Sequence, residues 1–567
     1  MRRRHGGHRP WRGRARRGSS PAPRRRAGAG AWQETASAAC ARPAGRCAGC
    51  RPPTRAGRRP APACPVALAR RPSAAAPVPA PPTRRGAAGC GWGRCRRFRR
   101  RSLRSSSKDT HVTQTLAKPD ASPAQIAQLS ELARDLLASA RARGADQCEL
   151  SLSQSRGLSV TARMGAVETV EYTRDRGLSL TVYFNDRGRG LRKASASSAD
   201  LSPAGLEATL DQACAIARYT EADPMAGLAD AQRMATQIAD FDRWHPWDID
   251  ADAALALGIA CETAGRDADA RISNSEGATV DSGESVAVYA NSHGFVGSEC
   301  GTSHSIVCSL IAGTGEGMQR DDWYTLGLSP NDLESPEAVG RQAAERVLRR
   351  LDPRRAPTGT FPVLFSAEMA RGLLGHLLGA VSGGAQYREA SFLLGAVGQR
   401  IFPDWFALRE RPHVVRGLRS SSYDGEGVAT VESNLILGGT LQRYLLDSYS
   451  ARKLGLTSTG NAGGVFNLEA SLGPDDLPAL LRGMGRGLYV TELMGQGVNS
   501  VTGDYSRGAA GFWVENGQIA YPVDEITIAG NLRQMFLALE AVGCEVDPRS
   551  HVRTGPMLIG AMTVAGS

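Results

Sequence analysis

From Ser122 onward the apolar positions fall first on a helical stripe and then on alternating strands. Ser122-Pro123 reads as an N-cap followed by proline in the first turn, and Ile126, Leu129, Leu132, Leu136 and Leu137 share one face until Gly144. Glu149–Gln154, Leu158–Arg163, Val167–Thr173, Leu178–Phe184 and Leu191–Ser195 alternate in polarity, the signature of half-buried strands. Met164-Gly165, Asp175-Arg176-Gly177 and Asn185–Gly188 are predicted as the hairpin turns between them. RGLSVT (156–161) and RGLSLT (176–181) make one repeated hairpin motif, too few copies for a solenoid. Helices are predicted over Pro203–Arg218 and about Ala251–Ala264, separated by a loop carrying the Trp244-His245-Pro246-Trp247 cluster.

Four further strands are expected in the next stretch: Ala278–Ser282, Val286–Asn291, Gly294–Thr302 and His304–Ala312. Ser335-Pro336-Glu337 caps a helix reaching Leu351, and the Pro/Arg linker Asp352–Pro357 is the best domain boundary. Beyond it, Phe361–Phe365 reads as a buried strand feeding a helix over Ser366–Val381. Strands then dominate Ile401–Gly439 and Gly487 onward, with helices at Asp475–Met484 and about Asn531–Val542. The pattern is α+β in two domains: a helix plus antiparallel meander over 112–355, and a sheet-rich domain with helices over 356–567.

Charge separates the N-terminal tail from both. Residues 1–107 hold 28 arginines, no lysine and a single acid, Glu34, while the remainder carries a net charge of −14. Segment 1–111 lacks periodicity and is expected to be disordered. An over-extended translation start is the preferred reading of it. A nucleic-acid arm is disfavoured because the aromatics Trp11, Trp32, Trp92 and Phe98 are sparse, and a transit helix because Pro and Gly are frequent. Cys148, Cys214, Cys261, Cys300, Cys308 and Cys544 are scattered in apolar contexts, the usage of buried thiols in a reducing compartment. No run is long enough to span a bilayer. A cytoplasmic chain with neither nucleic-acid nor membrane partners is expected.

The densest candidate for function is Thr491–Asn531, where seven glycines surround Asp504, Tyr505, Ser506 and Arg507. Gly503 lies three residues before Ser506, so the segment is no nucleophile elbow, which needs glycine two residues before the serine. Asp504 and Arg507 read either as an ion pair pinning a turn or as ligand contacts. None of the nine histidines is followed by Glu, which excludes HExxH and HExxxH metal motifs. Gly313–Gly317 lacks the dinucleotide spacing, and no P-loop lysine occurs.

Four blocks nevertheless resemble the PmbA branch (also called TldE) of the TldD/PmbA family. They are GMQRDDWY (317–324), the stretch from Phe365 to Trp405, YLLDSYSARKLGLTSTGNAGG (444–464) and TELMGQGVNSVTGDYSRGAAGFWVENG (491–517). The resemblance implies a cytosolic metalloprotease built from two homologous subunits that cleaves small or unfolded peptides, associated with microcin maturation and antitoxin removal. In that family the TldD-type subunit carries HExxxH and a later cysteine and binds zinc. Here the corresponding positions are Arg371, Gly372 and His376, with Thr554 near the cysteine position and Cys544 earlier. An arginine offers no lone pair to a dication. The resemblance therefore implies no metal and no catalytic residue in this chain, with zinc in a TldD-type partner. Asp504, Tyr505, Ser506 and Arg507 are then candidates for a substrate or partner surface. The alternative is a non-catalytic peptide-binding or regulatory protein acting without the homologue.

Overall fold

The computed structural model describes residues 121–566, so the expectations for the Arg-rich tail lie outside the described residues. The chain begins with α1 (Ala121–Ala142) and the long strands β1 (Gln147–Arg163) and β2 (Ala166–Asn185). β3 (Leu191–Ser198), α2 (Pro203–Ala217), β4 (Ala222–Asp223) and α3 (Ala251–Arg266) follow. β5 (Ile272–Asn291), β6 (Val296–Ala312), β7 (Gln319–Gly327) and α4 (Pro336–Arg349) complete the first half. Serine or aspartate caps set the helix starts: the side chains of Ser202, Asp250 and Ser335 accept from Gly205, Ala253 and Ala338 backbone N–H groups.

All seven strands form one antiparallel sheet ordered β4-β3-β2-β1-β5-β6-β7. One expected turn and the expected gaps between strands inside it do not exist. Asp175-Arg176-Gly177 is extended strand, paired with Ser155, Gln154 and Ser153, so β1 and β2 form one unbroken ribbon. Likewise Ser282–Val286 and Gly301–His304 continue through β5 and β6. One face of the sheet is covered by helices. Leu129 and Leu136 of α1 and Leu206 and Leu210 of α2 pack on Leu150, Leu152 and Leu180, while Cys261 of α3 and Val339 and Val347 of α4 pack on Val160, Val280 and Ile306.

The second half contains β8 (Gly359–Phe365), α5 (Ala367–Ala380), α6 (Gly383–Tyr387), β9 (Leu408–Arg411), β10 (Ser433–Leu437), β11 (Thr440–Leu441) and α7 (Ser448–Leu454). Then come β12 (Asn467–Ala470), α8 (Leu477–Met484), β13 (Gly487–Met494), β14 (Asp504–Glu515) and β15 (Gln518–Asn531). α9 (Leu532–Leu537), β16 (Leu539–Val542), β17 (Val552–Arg553) and β18 (Met557–Gly566) end it. The helix expected to reach Val542 stops at Leu537, because β16 pairs with β18. Ile401–Gly439 is mostly irregular and holds only two short strands. Sheet β15-β14-β13-β8-β18-β16 also pairs β15 with β18, closing a ring of strands around a core that includes Phe365, Trp513, Ile528 and Ile559. A small sheet, β11-β10-β9-β12-β17, flanks it. The described residues are thus α+β throughout.

Loop 219–247 ties the two halves together through guanidinium groups that reach main-chain carbonyls. Arg452 of α7 donates to the carbonyls of Met225, Gly227 and Leu228. In the other direction, Arg233 donates to Ser458 O at 2.7 Å and Arg243 to Ser420 O at 2.9 Å. Charged donors make the stronger class of hydrogen bond, worth about 1.5–3 kcal/mol each.

Candidate functional site: a cleft over the sheet and beside α5

Strand alternation decides what lies on the helix-free face of the large sheet. Residues 150, 152, 158 and 160 of β1 point to the helices, so Ser155 and Gly157 point away from them. Register then sets Gly157 opposite Gly283, Gly283 opposite Ser303, and Ser285 opposite Gly301. The result is a trough of small residues running across β1, β5 and β6. Its far wall comes from the second half, through Leu418, Arg549 and His551, and it encloses about 580 Å³. A second hollow of about 580 Å³ shares Leu326, Leu328, Leu418 and Arg549 with it and extends to Trp323, Glu368, Tyr489 and Asp547.

An alternating chain of charges runs past this second hollow, with Arg346, Glu368, Asp547 and Arg549 in its lining. Arg371 of α5 lies 3.3 Å from Asp547, and Asp547 accepts from Arg549 Nε at 2.8 Å. Arg549 donates to Glu368 at 2.5 Å, and Glu368 also pairs with Arg346 of α4 at 3.2 Å. Arg346 reaches Asp321 of β7 at 3.1 Å; Arg350 lies 3.6 Å from Asp321 and 2.5 Å from Glu492 of β13. The Arg549 guanidinium sits over Trp323 at 3.9 Å and Tyr324 at 4.3 Å from the ring centroids. Burial pushes the Asp547 carboxyl upward, but the hydrogen bonds and charge of Arg549 outweigh it and hold the group below the usual carboxylate range. The GMQRDDWY block therefore supplies Asp321 and the aromatic platform of this network. Sequence reasoning missed Arg346, Glu368, Asp547 and Arg549, which are brought together from three segments.

α5 presents two faces. Ser366 caps it by accepting from Met369 N–H, and Leu373, Leu374 and Leu377 are buried in the core. Gly372, Gly375 and Gly379 face open space, where an added Cβ would meet nothing within 4 Å. Three helical glycines cost about 1 kcal/mol each. Three buried leucines return about 1.5–3 kcal/mol each, so packing wins and the helix forms.

The residues at the family's metal positions do not fit a metal ion. Arg371 is a cation already paired with Asp547, Gly372 has no side chain, and Thr554 is fully buried with Oγ1 donating to Gly555 O. His376 is turned against the Tyr505 ring, centroids 5.9 Å apart, and its Nε2 is buried without a hydrogen-bond partner among the described residues. Burial, then the charge of Arg507, pushes this imidazole below its ordinary pKa. Among the described residues no group of three or more His, Cys, Asp or Glu side chains is placed to hold a metal.

The loop singled out by its glycines splits in two. Tyr505, expected on a substrate or partner surface, is 1% exposed: β14 alternates, so Tyr505 points into the core while Asp504 and Ser506 point out. Its hydroxyl, too, is buried without a hydrogen-bond partner among the described residues. Asp504 and Arg507 do not pair. Asp504 accepts from Thr502 Oγ1 at 2.6 Å and Asn531 Nδ2 at 3.3 Å, while Arg507 donates to the carbonyls of Leu493 and Met494. The sequence block is thus a turn organised by hydroxyl, amide and carbonyl groups.

Comparison with known proteins places the chain. Residues 148–217, 244–351 and 358–566 match the models for domain 1, the central domain and the C-terminal domain of PmbA/TldA metallopeptidases. The chain belongs to that family. It is 47% identical over 430 residues to metalloprotease PmbA of Escherichia coli O157:H7, covering 76% of this chain and 94% of that protein. It is 44% identical over 421 residues to a PmbA homolog of Haemophilus influenzae, covering 74% and 92%. Among solved structures, a Bacteroides thetaiotaomicron protein superposes with a TM-score of 0.73 at 28% identity, covering 78% of this chain and 99% of that one. TldE of Thermococcus kodakarensis shares the fold, with a TM-score of 0.66 at 20% identity over 77% and 100% of the two chains. Among the described residues no helix is long and apolar enough to cross a membrane.

Proposed function

We propose that this chain is the PmbA-type (TldE) subunit of a cytosolic two-chain peptidase. A TldD-type homologue holds the catalytic zinc, and this chain supplies walls that bind and orient small or unfolded peptides, microcin precursors and antitoxins among them. The observation that carries the reading is Arg371: a guanidinium locked to Asp547 stands where a metal ligand would be needed, beside a cleft large enough for several residues of extended peptide. The glycine-serine floor of the adjoining trough lets a backbone approach closely. Such a surface selects by access and main-chain shape more than by side chain, which suits substrates of varied sequence.

The test is metal content and hydrolysis of an unfolded peptide by this chain, by the HExxxH homologue, and by the mixture. Activity is expected in the mixture, with zinc tracking the homologue. Stoichiometric zinc on this chain alone would overturn the division of labour. Peptide binding without any gain in the mixture would favour a protein acting without the homologue.

A further inference from the structure

The trough over β1, β5 and β6 has walls whose charge does not balance. Among its lining residues Glu284 is the one carboxylate, and strand alternation turns it to the helix side, where Arg156 holds it at 2.7 Å. The floor itself, Gly157, Gly283, Gly301 and Ser303, carries no charge. Cations stand around it. Arg243 leans over the floor from loop 219–247, so that a Cβ added at Gly301 would lie 3.4 Å from its Nη2. The Arg243 Nε is buried without a hydrogen-bond partner among the described residues. The carboxylate it approaches, Glu299, stays 4.0 Å away and accepts from Ser421 Oγ. His551 lines the same trough, and no hydrogen bond fixes its ring among the described residues. Burial, then the charges of Arg419 and Arg371, push this imidazole below its ordinary pKa, which marks a positive potential at the wall. Arg419 makes no ion pair among the described residues; its Nη2 donates to Gly463 O at 2.6 Å. Arg549, by contrast, is neutralised by Asp547 and Glu368. Residues 108–567 carry a net charge of −14, so this cation-rich wall is a local exception, and a cleft focuses such a field.

We infer that this wall is a carboxylate subsite: Arg243 and His551 hold an oxyanion of a bound peptide, from its C-terminus or from an Asp or Glu side chain, over the glycine floor. The inference rests on the peptide-binding role proposed above and names what the trough selects. A carboxylate accepts at both oxygens, and the guanidinium and imidazole N–H groups are donors suited to it. The missing side chains at Gly283 and Gly301 let a main chain come close enough for that contact. A lysine or arginine of the guest would be repelled at the same place.

Fluorescence anisotropy of the full chain with a short, N-terminally labelled Gly-Ser-Ala peptide tests this subsite. The free acid should bind about tenfold or more tighter than its C-terminal amide. An amidated peptide with a central Asp pair, set against its Asn counterpart, tells the two sources apart. Tight binding regained with Asp extends the subsite to side-chain carboxylates, and no gain confines it to the C-terminus. Ser303 is exposed on the floor, so S303E plants a carboxylate there and should erase the preference for the acid. S303Q, of the same size, should keep it. R243Q should lose the preference too, with a thermal melt separating that loss from loss of fold. Equal affinity for acid and amide, or S303E behaving as S303Q does, would overturn the inference. Those outcomes leave the peptidase reading standing, because that reading is scored by metal content and hydrolysis. If this chain binds neither peptide, the inference falls as well, whatever the mixture hydrolyses.

Discussion

Replacing Arg549 by methionine breaks the charge network at one of its most buried members. Arg549 and Asp547 are only 7% and 5% exposed, and Glu368 is 15% exposed. The substitution leaves Asp547 with Arg371 alone and Glu368 with Arg346 alone, and it removes a donor from Tyr324 O. Methionine still packs on Trp323, so the loss is mainly electrostatic. Removing one partner of a buried pair costs about 3–5 kcal/mol, against about 0–1 kcal/mol for an exposed pair. The loss should depend on pH in a definite direction. Asp547 titrates below its unfolded value, so its contribution is present above the unfolded carboxylate pKa of about 3.9 and fades as pH falls through the lower folded value. Urea unfolding near neutrality should show the full deficit in R549M, and the gap to the parent should narrow in acid. A deficit under about 1 kcal/mol at neutral pH, or one that does not shrink in acid, would refute the account. R549K should fall between the two, since it keeps charge but loses the fork that spans Asp547 and Glu368.

Three other outcomes are expected. Glu426 is buried, and burial, with the charges of Asp424 and Asp447 outweighing the bond from Ser448, raises its pKa to about 7. The folded chain then keeps a proton that the unfolded chain releases, so stability falls as pH rises from the unfolded value to about 7. E426Q should flatten that slope and gain up to about 3 kcal/mol above it, as read by denaturant midpoints at several pH values. Gly283 in the trough floor has no neighbour closer than 3.7 Å to an added Cβ. G283A should therefore fold normally, while G283F should fill the trough and depress peptide hydrolysis by the mixed complex, seen as a raised KM. Y505F removes a buried hydroxyl that has no hydrogen-bond partner among the described residues, so calorimetry should find it neutral or more stable by about 1 kcal/mol.

The helices were legible because their starts are chemical. Ser202, Asp250, Ser335 and Ser366 each cap a helix within a residue or two of the expected start. The turn expected at Asp175-Arg176-Gly177 failed for the opposite reason. Alternation marks a strand only where one face is buried, and on the exposed half of β2 neither face is, so polar residues run together as they would in a loop. The site was legible in part. Arg371 and His376 could be placed on one helix, but the partners that fix Arg371 and its network come from positions 321, 346, 492 and 547–549, which no periodicity links. Tyr505 looked like a surface residue because glycine-rich sequence suggests a loop, whereas the backbone there is already the first turn of alternation in β14.

The arginines that reach across to main-chain carbonyls set how this molecule can move. Separating the sheet from the second half would pull Arg452 off three carbonyls at once, and Arg233 and Arg243 off theirs. Each guanidinium would have to regain its water shell in the same motion. Such a seam resists hinge-like opening, so the hollow beside α5 behaves as a vessel of fixed shape. In the peptidase proposed above, guests would enter through its rim already unfolded, and those too wide to pass would be excluded by the stiffness of the wall.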